Sequence, residues 1–176
     1  ALTAVTLPAS LVTLRNQAFK SNASLASVTF EVGSQLTTIG NDVFAGLPQS
    51  TIALPSTVSS IGSGPFGSNI RLTVADANPN FMAQNGVLFN KNQTTLIAYA
   101  PWLTDATYVI PASVTTLSSN AFANSQLQSL SIPASVATLG SYTFAGSSRL
   151  AEVTFAANSS ITRIPSAAFQ SSGLIR

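Results

Sequence analysis

The chain has 176 residues, of which 45% are hydrophobic and only 7% charged, with seven Lys or Arg, five Asp or Glu, and no Cys or His. Such a length suits one ordinary domain or about seven short repeats, and the charge content is far below the ~25% of typical soluble domains. Without Cys or His there is no thiol nucleophile, no Ser-His-Asp triad, no disulfide and almost no route to a zinc site. The net charge of +2 comes from scattered Arg15, Lys20, Arg71, Lys91, Arg149, Arg163 and Arg176, which form no basic stripe for nucleic acid.

Short alternating runs recur in chain order: Val5-Thr6-Leu7, Val28-Thr29-Phe30, Ile52-Ala53-Leu54, Leu72-Thr73-Val74, Tyr108-Val109-Ile110, Leu130-Ser131-Ile132 and Val153-Thr154-Phe155. Alternation with β-branched residues predicts half-buried strands. Four runs lead into nearly the same turn, at Pro8, Pro55, Pro111 and Pro133, where proline ends the strand because it cannot donate to the ladder. Two repeats use longer turns that end at Leu36 and Ile161. Beyond each turn an apolar residue precedes a phenylalanine by five positions: Leu14/Phe19, Ile39/Phe44, Ile61/Phe66, Leu117/Phe122, Leu139/Phe144 and Ile164/Phe169. The Phe-to-Phe steps are 25, 22, 56, 22 and 25 residues, which makes two arrays of three. A period of 20–29 residues with one strand per unit predicts a leucine-rich-repeat solenoid with a stacked phenylalanine spine. It is mostly β, with short irregular or helical convex turns.

Residues 75–107 break the period. Two apolar runs, Val87-Leu88-Phe89 and Thr95 to Tyr99, flank the polar stretch Asn90 to Gln93 and predict one β-hairpin. The domain is thus one repeat unit over 1–176, with repeats in 1–74 and 108–176 and the hairpin-bearing insert between them. Irregular segments often carry function, so Lys91, Asn92, Tyr99 and Trp102 are candidate contacts. The favoured alternative is structural, with Phe81, Phe89, Tyr99 and Trp102 completing the core. Neither end of the chain resembles a polar cap. The expectation is therefore a segment of a longer array, or ends covered by another copy in end-to-end self-association.

The text IPASVTTLSSNAFANSQLQSLSIPASVATLGSYTFAGSSRL resembles the BspA-type leucine-rich repeats of bacterial and protist surface proteins. The insert NPNFMAQNGVLFNKNQTTLIAYAP is similar to a segment that recurs between repeats of that family. The resemblance covers essentially the whole chain. It implies a right-handed solenoid with a β-sheet on one side, an extracellular or cell-surface location, and a role in adhesion or host binding. It brings no catalytic residues and no cofactor. The chain departs from the family where Cys often follows Phe by three positions. Here those positions hold Asn22, Leu47, Ser125, Ser147 and Ser172, which predicts a less apolar convex side. The Ile-Gly pair persists at Ile39-Gly40 and Ile61-Gly62, and as Leu139-Gly140.

The five carboxylates, Glu31, Asp42, Asp76, Asp105 and Glu152, offer little chemistry. Glu31 and Glu152 fall about five rungs apart, on the order of 24 Å at ~4.8 Å per rung, too far for glycoside cleavage. Asp76 and Asp105 flank the insert and could approach each other, though two solvated loop carboxylates are the favoured reading. No calcium loop or phosphate loop is present, and no apolar run reaches the ~18 residues of a membrane span. The chain reads as a non-enzyme without metal or cofactor.

The outward strand positions are more informative. Thr29, Thr73, Ser131 and Thr154, with Ser27, Thr51, Arg71, Ser129 and Glu152 just before the strands, make a flat face of small hydroxyls. The functional reading is docking of a host or matrix protein or a glycan, and ice binding is a remoter one. The plain reading is that Thr and Ser suit exposed strands. A rigid spacer or stalk in a larger surface protein is the alternative to a recognition module. Three Asn-x-Ser/Thr triplets begin at Asn22, Asn92 and Asn158. In a Ser/Thr/Asn-rich chain their chance occurrence is favoured over glycosylation.

Overall fold

The computed structural model describes residues 1–48, 50–64 and 70–174. Phe66 and its expected place in the spine, with Gly67, Ile175 and Arg176, lie outside them. The described residues contain fifteen strands and no helix, so the convex turns are irregular rather than helical.

Each regular rung carries a longer strand and a two-residue strand. In chain order these are β1 (Ala4–Leu7) and β2 (Thr13–Leu14), β3 (Ser27–Phe30) and β4 (Thr38–Ile39), then β5 (Ser50–Leu54) and β6 (Ser60–Ile61). A lone β7 (Ile70–Val74) precedes the insert strands β8 (Phe81–Gln84), β9 (Val87–Asn90) and β10 (Thr95–Tyr99). The rungs resume with β11 (Thr107–Val109) and β12 (Thr116–Leu117), β13 (Ser129–Ile132) and β14 (Thr138–Leu139), and end at β15 (Glu152–Phe155). Neighbouring rungs pair in parallel and in register, for example Val5 with Val28 and Leu130 with Val153. The longer strands form a front surface and the short ones a second surface, and their inward residues meet between the two.

The third side holds the phenylalanine turns. The residues two before and two after each ring adopt left-handed backbone: Gln17 and Ser21, Asp42 and Gly46, Asn120 and Asn124, Tyr142 and Gly146, Ala167 and Ser171. Non-glycine residues enter that region at a cost of order 1 kcal/mol. The gain is a turn tight enough to aim each ring inward while its backbone N–H bonds the next rung, as from Phe19 to Val43 O, 3.0 Å, and from Phe144 to Ala168 O, 2.8 Å. The rings stack at centroid distances of 6.0 Å for Phe19 on Phe44, 5.6 Å for Phe122 on Phe144 and 5.0 Å for Phe144 on Phe169. The Ile-Gly pair has a steric cause at Gly40, where a Cβ would lie 2.6 Å from the Asn16 backbone nitrogen of the previous rung.

Positions that often hold Cys in the family do not all leave the convex side polar. Ser125 and Ser147 are buried, their hydroxyls are 3.1 Å apart, and Ser147 Oγ donates to Phe122 O at 2.7 Å. Leu47 is buried as well. Ser147 thus bonds the preceding rung, whereas the Asn22 amide donates within its own turn, to Phe19 O at 2.9 Å.

The insert corrects the expected single hairpin. It is a three-stranded antiparallel meander, β8-β9-β10, whose last strand pairs in parallel with β12. Gln84 pairs with Val87 across Asn85-Gly86, both at positive φ (49° and 79°). This is the two-residue hairpin turn that Asn-Gly favours, and the twist it imposes matches the strands. Buried residues form two clusters, one per array, and β9 contributes to both: Leu88 joins the first, Val87 and Phe89 the second. The meander is therefore a septum between two cores, not a projecting loop. Asn78 locks its entry. Fully buried, it donates to Pro55 O and Val58 O at 3.1 and 3.0 Å and accepts from Asn80 N and Phe81 N at 2.8 and 2.9 Å.

Candidate functional site

The front surface brings the expected hydroxyl positions into register. Thr6 pairs with Thr29, Ala53 with Thr73, and Val109 with Ser131 and then Thr154, and every one of these residues is exposed. A second column runs beside it: Ala4 with Ser27, Thr51 with Arg71, and Thr107 with Ser129 and then Glu152. Thr51, Arg71 and Glu152 are exposed, whereas Ser27 and Ser129 are half-buried. Neighbouring hydroxyls bond each other where two threonines meet, with Thr6 Oγ1 and Thr29 Oγ1 3.0 Å apart.

The front strands do not form one continuous ladder. They divide into β1-β3, β5-β7 and β11-β13-β15. At the first division, between β3 and β5, lies an open groove of ~700 Å³ whose walls include Thr29, Glu31, Thr51, Ala53 and Thr57. Glu31 is held at its rim by the Ala9 backbone N–H, which donates to Oε2 at 2.9 Å. At the second division Trp102 fastens the insert to β7. Its indole N–H donates to Ile70 O at 2.9 Å, and the Arg71 guanidinium sits 4.6 Å from its ring centroid. That contact holds Arg71 over an aromatic face on an otherwise nearly uncharged surface.

The insert candidates separate. Lys91 and Asn92 are exposed, and Lys91 Nζ donates to Asp76 O at 3.1 Å. Trp102 is half-buried and engaged as described. Tyr99 is only 2% exposed and offers nothing to a partner. Its ring instead stands at the head of the second spine, 5.3 Å from Phe122, and its N–H donates to Ala121 O as the phenylalanine N–H groups do in their own rungs. Spacing concealed this, because Tyr99 follows its rung's Leu96 by three positions, not five. Burial, and then the nearby Asp105 carboxylate, push the Tyr99 hydroxyl well above the usual tyrosine range. No well-formed hydrogen bond joins it to a partner. Burial alone raises its neighbour Tyr108 to about 12.

Asp76 and Asp105 take up separate places, the first at the Lys91 end of the meander and the second beside Tyr99. Among the described residues no three carboxylates gather to hold a metal, and the ion pair found is Lys20 with Asp42, 3.2 Å, at the surface. A mostly apolar cavity of ~210 Å³ opens on the turn side beside Leu72, Leu88, Tyr99 and Asn124. Gly64 and Ile70, which flank residues 65–69, belong to its wall.

The residue before the apolar member of most Leu/Ile-Phe pairs is Thr or Ser. In the second surface Thr13, Thr38 and Ser60 align in one row, and Thr95, Thr116 and Thr138 in another. The chain thus carries hydroxyl columns on two surfaces.

Comparison with known proteins agrees with this architecture. The BspA type leucine rich repeat region matches in six copies over residues 1–101 and 103–176. The pneumococcal vaccine antigen PcpA superposes with a TM-score of 0.83 at 31% identity, over 90% of this chain and 40% of that one. A leucine rich cell surface protein of Faecalibacterium prausnitzii gives 0.81 at 26% identity, over 96% and 45%. A leucine-rich repeat protein of Eubacterium ventriosum gives 0.65 at 21% identity, over 94% and 56%, a likeness of fold alone. The chain spans about half the length of these structures or less. No curated protein matches the sequence.

Proposed function

Since this chain belongs to the family of BspA-type leucine-rich repeat regions, we propose that it is a non-enzymatic recognition module displayed at a cell surface, docking a protein or glycan through its front strands. The observation that carries the reading is the exposed and nearly uncharged front column, Thr or Ser except at Ala53 and Val109 and in register within each of its three ladders, with the groove between β3 and β5 beside it. Support for the location is the likeness to a cell surface protein. Small hydroxyls give many weak hydrogen bonds and no large anchors, so affinity accumulates along the rungs rather than at one point. With only Arg71 and Glu152 charged on the two columns, capture should change little with salt, unlike electrostatic adhesion.

The test is capture of immobilised extracellular-matrix proteins and of a glycan array by the wild-type chain and by the triple variant Thr29→Lys, Thr73→Lys, Thr154→Lys. A front-docking module loses capture in the variant while its thermal unfolding stays within a few degrees. The second reading, a rigid spacer, is favoured by the septum that joins the two cores. It expects no capture by either chain, and a stiffness in single-molecule extension that the three lysines leave unaltered.

A further inference from the structure

Where the second surface parts between β6 and β10 there is a cavity of ~370 Å³, on the opposite element of each rung from the front docking columns. Its floor is apolar, from Ile61, Phe81 and Ile97. Its rim is polar and wholly neutral: Asn41 and Ser63 from the first array, Asn90 and Thr95 from the insert, Ser118 and Ser119 from the second. Two of the rim groups are set in place by backbone bonds. Asn41 Oδ1 accepts from Ser63 N at 2.8 Å, which leaves its NH₂ free, and Asn90 Oδ1 accepts from Thr94 N and Thr95 N, both at 2.8 Å. The Asn41 NH₂ and the hydroxyls of Ser63, Thr95, Ser118 and Ser119 make no hydrogen bond with any described residue. Five uncommitted neutral donors and acceptors therefore surround one apolar floor, in a volume typical of a small-ligand site.

We propose that this cavity is a binding site for a neutral oligosaccharide. The chemistry discriminates between ligand classes. A sulfated or carboxylated glycan, or an acidic or basic peptide, would bury its charge against a rim that holds no opposite charge, at a desolvation cost nothing repays. A purely apolar ligand would strip water from five polar groups without replacing their hydrogen bonds. A neutral sugar ring has one apolar face for Ile61, Phe81 and Ile97, and a hydroxyl edge that can donate to and accept from Ser, Thr and Asn. The site sits where the β2-β4-β6 ladder ends against the insert.

The experiment is an NMR titration of the isotopically labelled full chain with maltotriose, chitotriose, mannotriose and N-acetyllactosamine, and with a heparin tetrasaccharide as the charged counterpart. At least one neutral sugar should shift the amides of Asn41, Ser63, Thr95, Ser118 and Ser119 saturably at millimolar concentration, with heparin weaker. Ser119→Leu, which fills the cavity, should abolish the shifts. Thr95→Val, which keeps the side-chain shape and removes one hydroxyl, should weaken binding about three- to tenfold. The Thr29/Thr73/Thr154 lysine variant should bind as wild type, which separates this site from the front columns. Shifts that map to the front columns, tighter binding of heparin, unchanged binding by Ser119→Leu, or no saturable shift with any of the four neutral sugars would each overturn the proposal.

Discussion

In a regular rung, such as the one built on β13, each strand has a buried face and a wet face, and Leu130 and Ile132 point inward while Ser131 points out. In the insert, Val87, Leu88 and Phe89 of β9 are all buried, because an array lies on either side. The rungs obtain order from repetition: an in-register neighbour supplies hydrogen bonds and a stacked ring. The insert has no copy of itself to stack on, so it relies on devices of its own. These are the saturated buried amide of Asn78, the Asn85-Gly86 turn, the Trp102 bond to β7 and a tyrosine in place of phenylalanine. The contrast explains why the insert, rather than a rung, sets how the two halves of the solenoid are joined. In a quasi-one-dimensional fold each unit touches only its neighbours, and a septum shared by two cores is what makes them one body.

Substitutions can break that contrast, beginning with the largest effect. Phe122→Ala removes a fully buried ring stacked between Tyr99 and Phe144, and should cost ~3–5 kcal/mol in urea unfolding. Phe169→Ala, half-buried at the far end of the same stack, should cost clearly less. If the two losses are equal, the rungs do not act as a stack. Asn78→Ala deprives the Asn80 and Phe81 N–H groups of their acceptor, whereas Pro55 O keeps the Val58 N–H and Val58 O keeps the Asn80 amide, and about 2 kcal/mol is expected. Its hydrogen-exchange signature should be loss of protection in β8 and β9 ahead of β13, and uniform loss would contradict a separately secured insert.

Gly86→Ala places a side chain at φ 79°, 3.0 Å from the Trp102 ring. A loss of ~1–2 kcal/mol with a changed tryptophan emission should result. Ser147→Ala removes the hydroxyl that caps Phe122 O in a regular rung, for about 1 kcal/mol. Smallest of all, Tyr99→Phe converts the insert's spine ring to that of a rung. The hydroxyl it deletes is buried without a hydrogen bond, so unfolding should show no loss, or a gain below ~1 kcal/mol. A loss beyond that would mean the hydroxyl holds Asp105 in place.

How much of this was legible follows from where the information resides. Strand positions, inward and outward residues, and the 22- and 25-residue steps are local and periodic. Alternation around Thr29 or Ser131, and a proline at four of the turns, encode them within a few residues. The left-handed pairs that bracket each phenylalanine were not legible, because Gln17, Tyr142 and Ala167 carry no glycine-like preference and are held there by the next rung. The Asn-Gly turn was present in the text, yet Phe81 to Gln84 alternates too weakly to announce β8. Among candidate contacts, Lys91, Asn92 and most of the front hydroxyls are accessible, while Tyr99 is not, since the Phe122 ring it stacks on comes from the following rung.

The sequence by itself determined that this is a leucine-rich-repeat solenoid. It also determined that Phe19, Phe44, Phe122, Phe144 and Phe169 stack in its spine and which strand residues face outward, because a repeat states the same local rule many times. Only the tertiary structure decided that the insert is a wall between two cores, that Tyr99 serves as a spine ring, and that a neutral cavity opens between β6 and β10. Each of those depends on two arrays meeting once, at a junction that no periodicity repeats.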